Sequence, residues 1–301
     1  MKTILLLGGY GFLGTNLMKW VDKQHLPYRF VVFDKFLQHT AGVTFDCITQ
    51  SYSGDFADPT MMEQIFSNHS IDVVIHSLSS TVPLAAGSAR YDVESNLLPT
   101  LSLLDTMVRH HVQNIVFFSS GGAVYGESVQ GRPHQESDEL YPKSSYGVVK
   151  LAIEKYLFLY QTLYAIRPMV LRLSNPYGHY HYSQRQGIVN IALRAAQQGK
   201  PFTVWGDGTA TKDYIFAEDV CAIVFSLIEQ EIYGQVINVA SGELLSVNQI
   251  LEQIRLLYSS FSWTYQAANA HDVQRVELDI EKLKSLTRVP YHSFSSILPL
   301  L

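Results

Sequence analysis

Two residues four positions apart carry the clearest chemistry in this chain, the phenol of Tyr146 and the ammonium of Lys150. Four residues apart on a helix, they lie on the same face, one turn apart. A free tyrosine has a pKa of about 10 and is a weak base at neutral pH, but a neighbouring cation favours the phenolate. The pair therefore predicts proton transfer to or from a substrate hydroxyl.

A glycine-rich turn near the N-terminus indicates what this proton transfer is coupled to. Gly8, Gly11 and Gly14 follow a short apolar run and open a helical pattern, which lets the backbone approach a pyrophosphate at a helix N-terminus. Asp34 ends the next apolar run, where a carboxylate accepts from the adenosine ribose hydroxyls and repels a 2′-phosphate. The sequence therefore predicts a dinucleotide site with NAD favoured over NADP, and hydride transfer coupled to Tyr146.

The elements that would position these residues alternate through the first half of the chain. The apolar, strand-like runs are Thr3–Leu7, Arg29–Phe33, Asp72–His76, Asn114–Phe118 and Met169–Leu173, separated by helix-length segments. This alternation predicts an α/β fold, a Rossmann-like doubly wound parallel sheet whose carboxyl ends share one rim. We expect an NAD-binding domain over residues 1–173, completed by parts of 204–240. Most of 174–301 should form a smaller, interleaved substrate-binding lobe, which begins with an irregular segment over Ser174–Gln186.

Composition excludes several classes of partner. The 301 residues are 47% hydrophobic and 16% charged, with a formal net charge of −5, so no basic surplus points to nucleic acid or an anionic membrane surface. The first apolar run is too short for a signal peptide or a membrane span. Cys47 and Cys221 are the two cysteines, too few for a disulfide framework. The chain is expected to be a cytoplasmic protein.

Read in order, these segments resemble the extended short-chain dehydrogenase/reductase family, specifically its NAD-dependent nucleotide-sugar epimerase/dehydratase group, typified by UDP-glucose 4-epimerase. The resemblance spans roughly residues 2–283. The matching stretches are GGYGFLG (8–14), GDFAD (54–58), DVVIHSLSS (72–80), SNLLPTLSLLD (95–105), VFFSSGGAVYG (116–126), SYGVVK (145–150), LRLSNPYG (171–178), VWGDGTATKDYIFAEDV (204–220) and INVASGE (237–243).

The resemblance implies NAD as cofactor, a nucleotide sugar as substrate, no metal, and a homodimer built through the helix Leu97–His111 and the helix containing Tyr146. With the glycine turn and Asp34, the expected cofactor-binding residues are Gly8, Gly11, Phe12, Leu13, Asp34, Asp55, Phe56, Leu78, Asn96, Ser119, Tyr146 and Lys150. The expected substrate-binding residues are Ser120, Tyr146, Asn175, Gln186, Trp205, Lys212 and Arg275. Arg185 and Gly187 are also expected to face the substrate lobe.

The third catalytic residue departs from the family pattern. The family's usual Ser or Thr falls on Gly121, with Ala123 two residues further on. Ser119 and Ser120 are the hydroxyls left nearby, and we assign the role to Ser120. The alternative is that both serines only satisfy the end of the strand.

Three substrate-side positions keep open alternatives. Lys212 stands where the family usually has an arginine and would meet a diphosphate as a point charge. Trp205 packs against the nucleotide base or, alternatively, in the core of the lobe. Arg275 is either a phosphate ligand or a solvated surface residue.

The resemblance implies an NAD-dependent nucleotide-sugar 4-epimerase acting on a UDP-hexose or UDP-N-acetylhexosamine. Tyr146 would remove the proton of the 4-hydroxyl while the C4 hydride passes to nicotinamide. The 4-keto sugar would then turn and take the hydride on its other face. The alternative enzyme is a dTDP-4-keto-6-deoxy-hexose reductase, and a dinucleotide-binding regulator without catalysis is the alternative from another class. A dehydratase is disfavoured, because Gly122 and Ala123 stand where that subgroup carries an Asp-Glu pair.

Overall fold

The computed structural model describes residues 1–37, 43–80, 89–126, 131–184, 186–267, 275–289 and 291–301. The strands are β1 (Lys2–Leu7), β2 (Tyr28–Asp34), β3 (Ile48–Ser53), β4 (Val73–His76), β5 (Asn114–Ser120), β6 (Arg167–Leu173), β7 (Asn175–Tyr177), β8 (Phe202–Trp205), β9 (Thr211–Phe216), β10 (Gln235–Val239), β11 (Leu244–Ser246), β12 (Trp263–Gln266) and β13 (Arg275–Val276). The helices are α1 (Phe12–Gln24), α2 (Pro59–Asn68), α3 (Ala89–Asp92), α4 (Leu98–Arg109), α5 (Gly121–Val124), α6 (Ser145–Tyr164), α7 (Ile188–Gln197), α8 (Ala217–Glu229), α9 (Val247–Leu257), α10 (Glu281–Leu286) and α11 (Phe294–Ile297). A π-helical turn, Val93–Leu97, joins α3 to α4, and a 3₁₀ turn, Leu298–Leu300, follows α11.

A seven-stranded parallel sheet in the order β10-β6-β5-β4-β1-β2-β3 forms the centre of the molecule. Side chains of α1 and α8 pack on one face, and those of α2, α4 and α6 pack on the other. Because both faces are covered, the central strands read as continuous apolar runs. The predicted α/β fold with a doubly wound parallel sheet is therefore confirmed.

The strand β3 was missing from the sequence prediction. Its sequence is ITQSYS, and none of its residues is fully buried. It pairs with β2 on one side only, at the edge of the sheet. An edge strand needs no continuous apolar run, so its composition resembled that of a loop.

After β6 the chain forms two smaller sheets and contributes one more strand to the central sheet. β11, β9, β13 and β7 form a four-stranded sheet, and β8 pairs with β12. A separate apolar cluster from α7, α9 and the C-terminal segment packs beneath them. β10 adds to the edge of the central sheet beside β6. In the described parts of the chain, no helix combines the length and apolarity needed to cross a membrane.

Candidate active site

The glycine turn between β1 and α1 leaves a helix N-terminus open to an anion. A Cβ atom on Gly14 would lie 2.3 Å from the carbonyl oxygen of Gly8, so only glycine lets α1 approach the turn this closely. Gly11 precedes the helix without a side-chain cap, and no acidic residue lies in the first helical turn. The amides of Phe12 and Leu13 therefore have no carboxylate competing with a bound phosphate.

The carboxyl ends of β2 and β4 flank this turn. Asp34 ends β2, and its Oδ2 accepts from the backbone N–H of Tyr10 at 2.9 Å. Leu78 follows β4, and a Cβ atom on Gly8 would lie 3.0 Å from the Leu78 backbone nitrogen. A carboxylate and a close-packed backbone thus lie on the two sides of the glycine turn. This arrangement fits the adenosine ribose and pyrophosphate of a dinucleotide.

Three further predicted cofactor residues lie along the same rim in different environments. Asp55 is exposed, and its Oδ1 accepts from the backbone N–H two residues further on at 2.9 Å. The ring of Phe56 is buried and meets His76 edge-on at 5.4 Å, so this side chain belongs to the core. Asn96 is buried, and its Oδ1 accepts from the backbone N–H of Ser80 at 2.9 Å. Asn96 thereby holds the segment that follows β4.

The predicted catalytic residues meet at the end of β5 and the start of α6. Lys150 Nζ donates to the carbonyl oxygen of Phe118 at 2.8 Å and lies 5.7 Å from the centre of the Tyr146 ring. The hydroxyl of Ser120 lies beside the Tyr146 phenol and interacts with it. Only β4 separates β5 from β1, so these groups stand about 10 Å along the rim from the glycine turn.

Burial sets the protonation of the pair in the protein without ligand. It raises the pKa of Tyr146 to about 12, an effect that the nearby Ser120 hydroxyl opposes. It lowers the pKa of Lys150 to about 8, an effect that the Glu154 carboxylate opposes. At neutral pH Lys150 is therefore a cation beside a neutral phenol. The Lys150 charge stabilises the phenolate that forms when Tyr146 loses its proton. This arrangement suits general acid–base catalysis at a substrate hydroxyl.

Ser119 faces a different partner from Ser120. It is buried, and its hydroxyl donates to the carboxylate of Glu154, which in turn pairs with Arg172 at 2.7 Å. Sequence reasoning missed Glu154 and Arg172. Two signals were available: Glu154 continues the four-residue spacing of Tyr146 and Lys150, and Arg172 interrupts an otherwise apolar strand.

Gly121 cannot accept a larger residue without movement of Leu278. A Cβ atom on Gly121 would lie 2.6 Å from Leu278 Cδ1 and 2.9 Å from Cδ2. We expect Gly121→Ser to lower the free energy of unfolding by about 1–3 kcal/mol, because extra atoms in a filled core force side chains to shift. Urea unfolding measures this, and in a Leu278→Ala background the same substitution should lose much less. An unchanged stability of Gly121→Ser alone would contradict the expectation.

The small sheet brings three predicted substrate-side residues together. Asn175 lies on β7 and its Nδ2 donates to the carbonyl oxygen of Asp213 at 2.9 Å. Lys212 lies on the neighbouring β9, and Arg275 lies on β13, which pairs with β9 next to Lys212. The Arg275 guanidinium is half exposed and contacts Glu277 at 2.6 Å. A phosphate at this position would therefore share Arg275 with a carboxylate.

The remaining substrate-side residues lie on other elements. Trp205 ends β8 and is 60% exposed, so the alternative that it packs in the core of the lobe is wrong. Gln186 is exposed, and its backbone N–H donates to Ser183 Oγ at 3.2 Å. Gly187 precedes α7, and Arg185 lies outside the described residues.

Known proteins resemble this chain over most of its length. The sequence model of the NAD dependent epimerase/dehydratase family matches residues 4–240. A UDP-glucose 4-epimerase of Halalkalibacterium halodurans is 32% identical over 272 residues, covering 84% of this chain and 79% of that protein. A dTDP-4-dehydro-6-deoxyglucose reductase of Escherichia coli is 29% identical over 257 residues, with 83% and 80% covered. The crystal structure of a Thermotoga maritima UDP-glucose 4-epimerase with UDP-glucose has a TM-score of 0.91 and 28% identity, covering 99% of this chain and 96% of that one.

Proposed function

Because the chain belongs to the NAD-dependent epimerase/dehydratase family, we propose that it is a nucleotide-sugar 4-epimerase acting on a UDP-hexose or UDP-N-acetylhexosamine. Its cofactor is NAD. The observation that carries the proposal is the Tyr146 phenol beside the Ser120 hydroxyl, with the Lys150 ammonium 5.7 Å from the centre of the Tyr146 ring. The similarity to UDP-glucose 4-epimerases supports the choice of substrate class.

NAD bound at the rim of the sheet would supply the hydride chemistry at C4 of the sugar, with the hydride removed and returned within one turnover. Tyr146, as the phenolate, takes the proton of the 4-hydroxyl and later gives it back to the inverted C4 oxygen. Ser120 donates a hydrogen bond to the reacting oxygen and holds it against Tyr146. Lys150 supplies a positive charge that favours the phenolate over the neutral phenol. Its own position is fixed by the carbonyl oxygen of Phe118.

The residues around the glycine turn would hold the cofactor. The N-terminus of α1, beginning at Phe12 and Leu13, would receive the pyrophosphate, and Asp34 would accept from the adenosine ribose. Asp55 and Asn96 would line the two sides of this groove.

The nucleotide-sugar would bind between the central sheet and the smaller lobe. Asn175 and Lys212 lie on adjoining elements of the small sheet and would contact the diphosphate. The exposed ring of Trp205 offers a surface for the nucleotide base. Gln186 and Arg275 complete the set of polar groups proposed for this side.

Proton NMR of UDP-glucose and UDP-N-acetylglucosamine, each incubated with purified protein and no added cofactor, tests the function. Appearance of the axial 4-epimer would support an epimerase that retains and recycles its NAD. A folded protein that converts neither sugar would overturn the proposal.

The second candidate is a 4-keto-6-deoxy-hexose reductase on a dTDP-linked sugar. Two observations favour it: the 29% identity to the E. coli reductase, and Gly121 in place of the usual Ser or Thr. Oxidation of NADH at 340 nm with the dTDP-4-keto sugar distinguishes it, since an epimerase consumes no reduced cofactor. A regulator without catalysis has no such support, because Tyr146, Ser120 and Lys150 are assembled as a proton-transfer site.

The exposed apolar surface of α6 supports assembly as a homodimer. Its members are Val148, Tyr156, Leu159 and Leu163, which lie on one stripe of the helix and are 37–57% exposed. Leu98 on α4 is also half exposed. Pairing of α4 and α6 with the same helices of a second copy would bury this surface.

We expect Leu163→Glu to convert the dimer into a monomer, because it places a charge in an apolar interface. Light scattering coupled to size-exclusion chromatography measures the mass. Leu256→Glu is the matched control, since Leu256 on α9 is 86% exposed and lies in the other lobe. A wild-type protein that is monomeric at micromolar concentration would disprove the dimer.

A further inference from the structure

Three consecutive residues at the end of β5 are each held by α6. The carbonyl oxygen of Phe118 accepts from Lys150, the hydroxyl of Ser119 donates to Glu154, and the hydroxyl of Ser120 lies beside the Tyr146 phenol. The three helix residues are spaced by four and therefore share one face. These contacts hold the end of β5 against α6. The contact between Tyr146 and Ser120 is the one at the last residue of β5.

The Glu154 carboxylate is embedded in the protein and fully satisfied. Glu154 and Arg172 are 2% and 3% exposed. Arg172 on β6 donates to Glu154 from both Nε, at 3.2 Å, and Nη2, at 2.7 Å. Arg172 Nη1 donates to the Tyr125 hydroxyl at 2.8 Å, which donates to Asn238 Oδ1 at 2.7 Å. The hydrogen bonds from Ser119 and Arg172 hold the carboxylate in one orientation. Removal of either member of the Glu154–Arg172 pair would leave a buried charge without a partner.

We propose that Glu154 is a positioning residue for the catalytic groups, acting in two ways. Its carboxylate holds Ser119, which keeps Ser120 against Tyr146, and its negative charge keeps Lys150 protonated. The expected effect on turnover rests on the proposed function, whereas the expected effect on the protonation of Lys150 does not.

The groups that face Lys150 support the charge effect. Among the described residues, Tyr146 and Glu154 lie one helical turn to either side of Lys150 on the same face of α6, and His76 on β4 interacts with the Lys150 charge. Burial and then the Lys150 charge lower the pKa of His76 to about 3, so His76 is neutral at working pH. Arg172 faces Glu154 from β6 and stays charged at all relevant pH. Glu154 is thus the anion that opposes the loss of charge on buried Lys150, whose pKa is about 8.

Ser119→Ala and Glu154→Gln separate the two effects. Ser119→Ala removes the hydrogen bond but leaves the carboxylate, whereas Glu154→Gln removes the charge and keeps an acceptor for Arg172. We expect both to lower kcat by about 10-fold with little change in KM, since misplacement of a catalytic group slows the chemical step. Because the active form needs charged Lys150, activity falls as pH rises through the Lys150 pKa. Only Glu154→Gln should move that fall to lower pH, by about one unit.

A measurement without substrate tests the charge effect directly. NMR of ¹³Cε-labelled lysine follows the titration of Lys150, identified by its absence in Lys150→Met. Its midpoint should lie below those of the surface lysines and drop further in Glu154→Gln, while Ser119→Ala leaves it unchanged. Glu154→Asp keeps the charge at shorter reach and should retain the wild-type midpoint while losing activity.

An unchanged Lys150 midpoint in Glu154→Gln would overturn the charge effect, and unchanged kcat in Ser119→Ala would overturn the positioning effect. If Glu154→Gln does not fold, Glu154→Asp and Ser119→Ala still decide the positioning effect, because a purely structural role would lower thermal stability without lowering kcat. If the wild-type protein turns over no UDP-sugar, the proposed function fails while the lysine titration still decides the charge effect.

Discussion

Replacing Tyr146 with phenylalanine is expected to lower kcat by about 10³-fold, the range in which positioned acid–base groups act. The substitution removes the hydroxyl that would exchange a proton with the sugar and leaves the ring in place. The Lys150 ammonium and the Ser120 hydroxyl would remain, but the group that takes the proton would be gone. Steady-state rates for the converted sugar measure the loss, and the NAD content of the purified protein should be unchanged.

Tyr160→Phe is the matched control for this experiment. Tyr160 lies on the same helix, and its hydroxyl donates to Asp105 at 2.6 Å, away from the catalytic groups. It should keep the wild-type kcat. If Tyr146→Phe retained most of the wild-type rate, Tyr146 would not be the acid–base group and the mechanism would have to be assigned to another residue.

Replacing Gly14 with alanine is expected to empty the cofactor site. The new Cβ atom would lie 2.3 Å from the carbonyl oxygen of Gly8 and 2.6 Å from the Cα atom of Gly9. Backbone atoms cannot turn aside as a flexible side chain can, so α1 must move away from the glycine turn. We expect affinity for NAD to fall at least about 10-fold and the free energy of unfolding to fall by about 1–3 kcal/mol.

Perchloric acid extraction of bound NAD and thermal unfolding measure the two effects. Gly122→Ala is the control, because a Cβ atom there meets no atom within 4 Å, and it should leave both quantities unchanged. Wild-type NAD content in Gly14→Ala would show that the cofactor does not depend on the close approach of α1 to the turn.

Elements with a strong local pattern were predictable from the sequence. The five predicted apolar runs became β1, β2, β4, β5 and β6 because each is buried between two layers of helices. The polar edge strand β3 was not predictable in this way. The three-residue strands β7 and β11 were missed for a related reason. Both pair with β9, which is distant in the chain, and a strand this short carries no periodic pattern in its own sequence.

The same division holds within the candidate site. The amino-acid sequence was sufficient for the helical spacing of Tyr146 and Lys150, for the glycine turn with Asp34, and for the family, because each rests on residues close together in the chain. Only the tertiary structure distinguished Ser120 from Ser119. Both hydroxyls meet α6, but Ser119 donates to Glu154, whereas Ser120 lies beside Tyr146.

Long-range packing also decided what lies behind the catalytic groups. Glu154 and Arg172 are separated by 18 residues and form a buried pair, while Leu278 fills the space beside Gly121 from the far end of the chain. Glu154 and Arg172 each stood out in the sequence, but which residues meet in these two contacts depends on the order of strands in the sheet and on the path of the C-terminal lobe. The sequence thus determined which chemistry is available to this protein, and tertiary packing determined which side chains hold it in place.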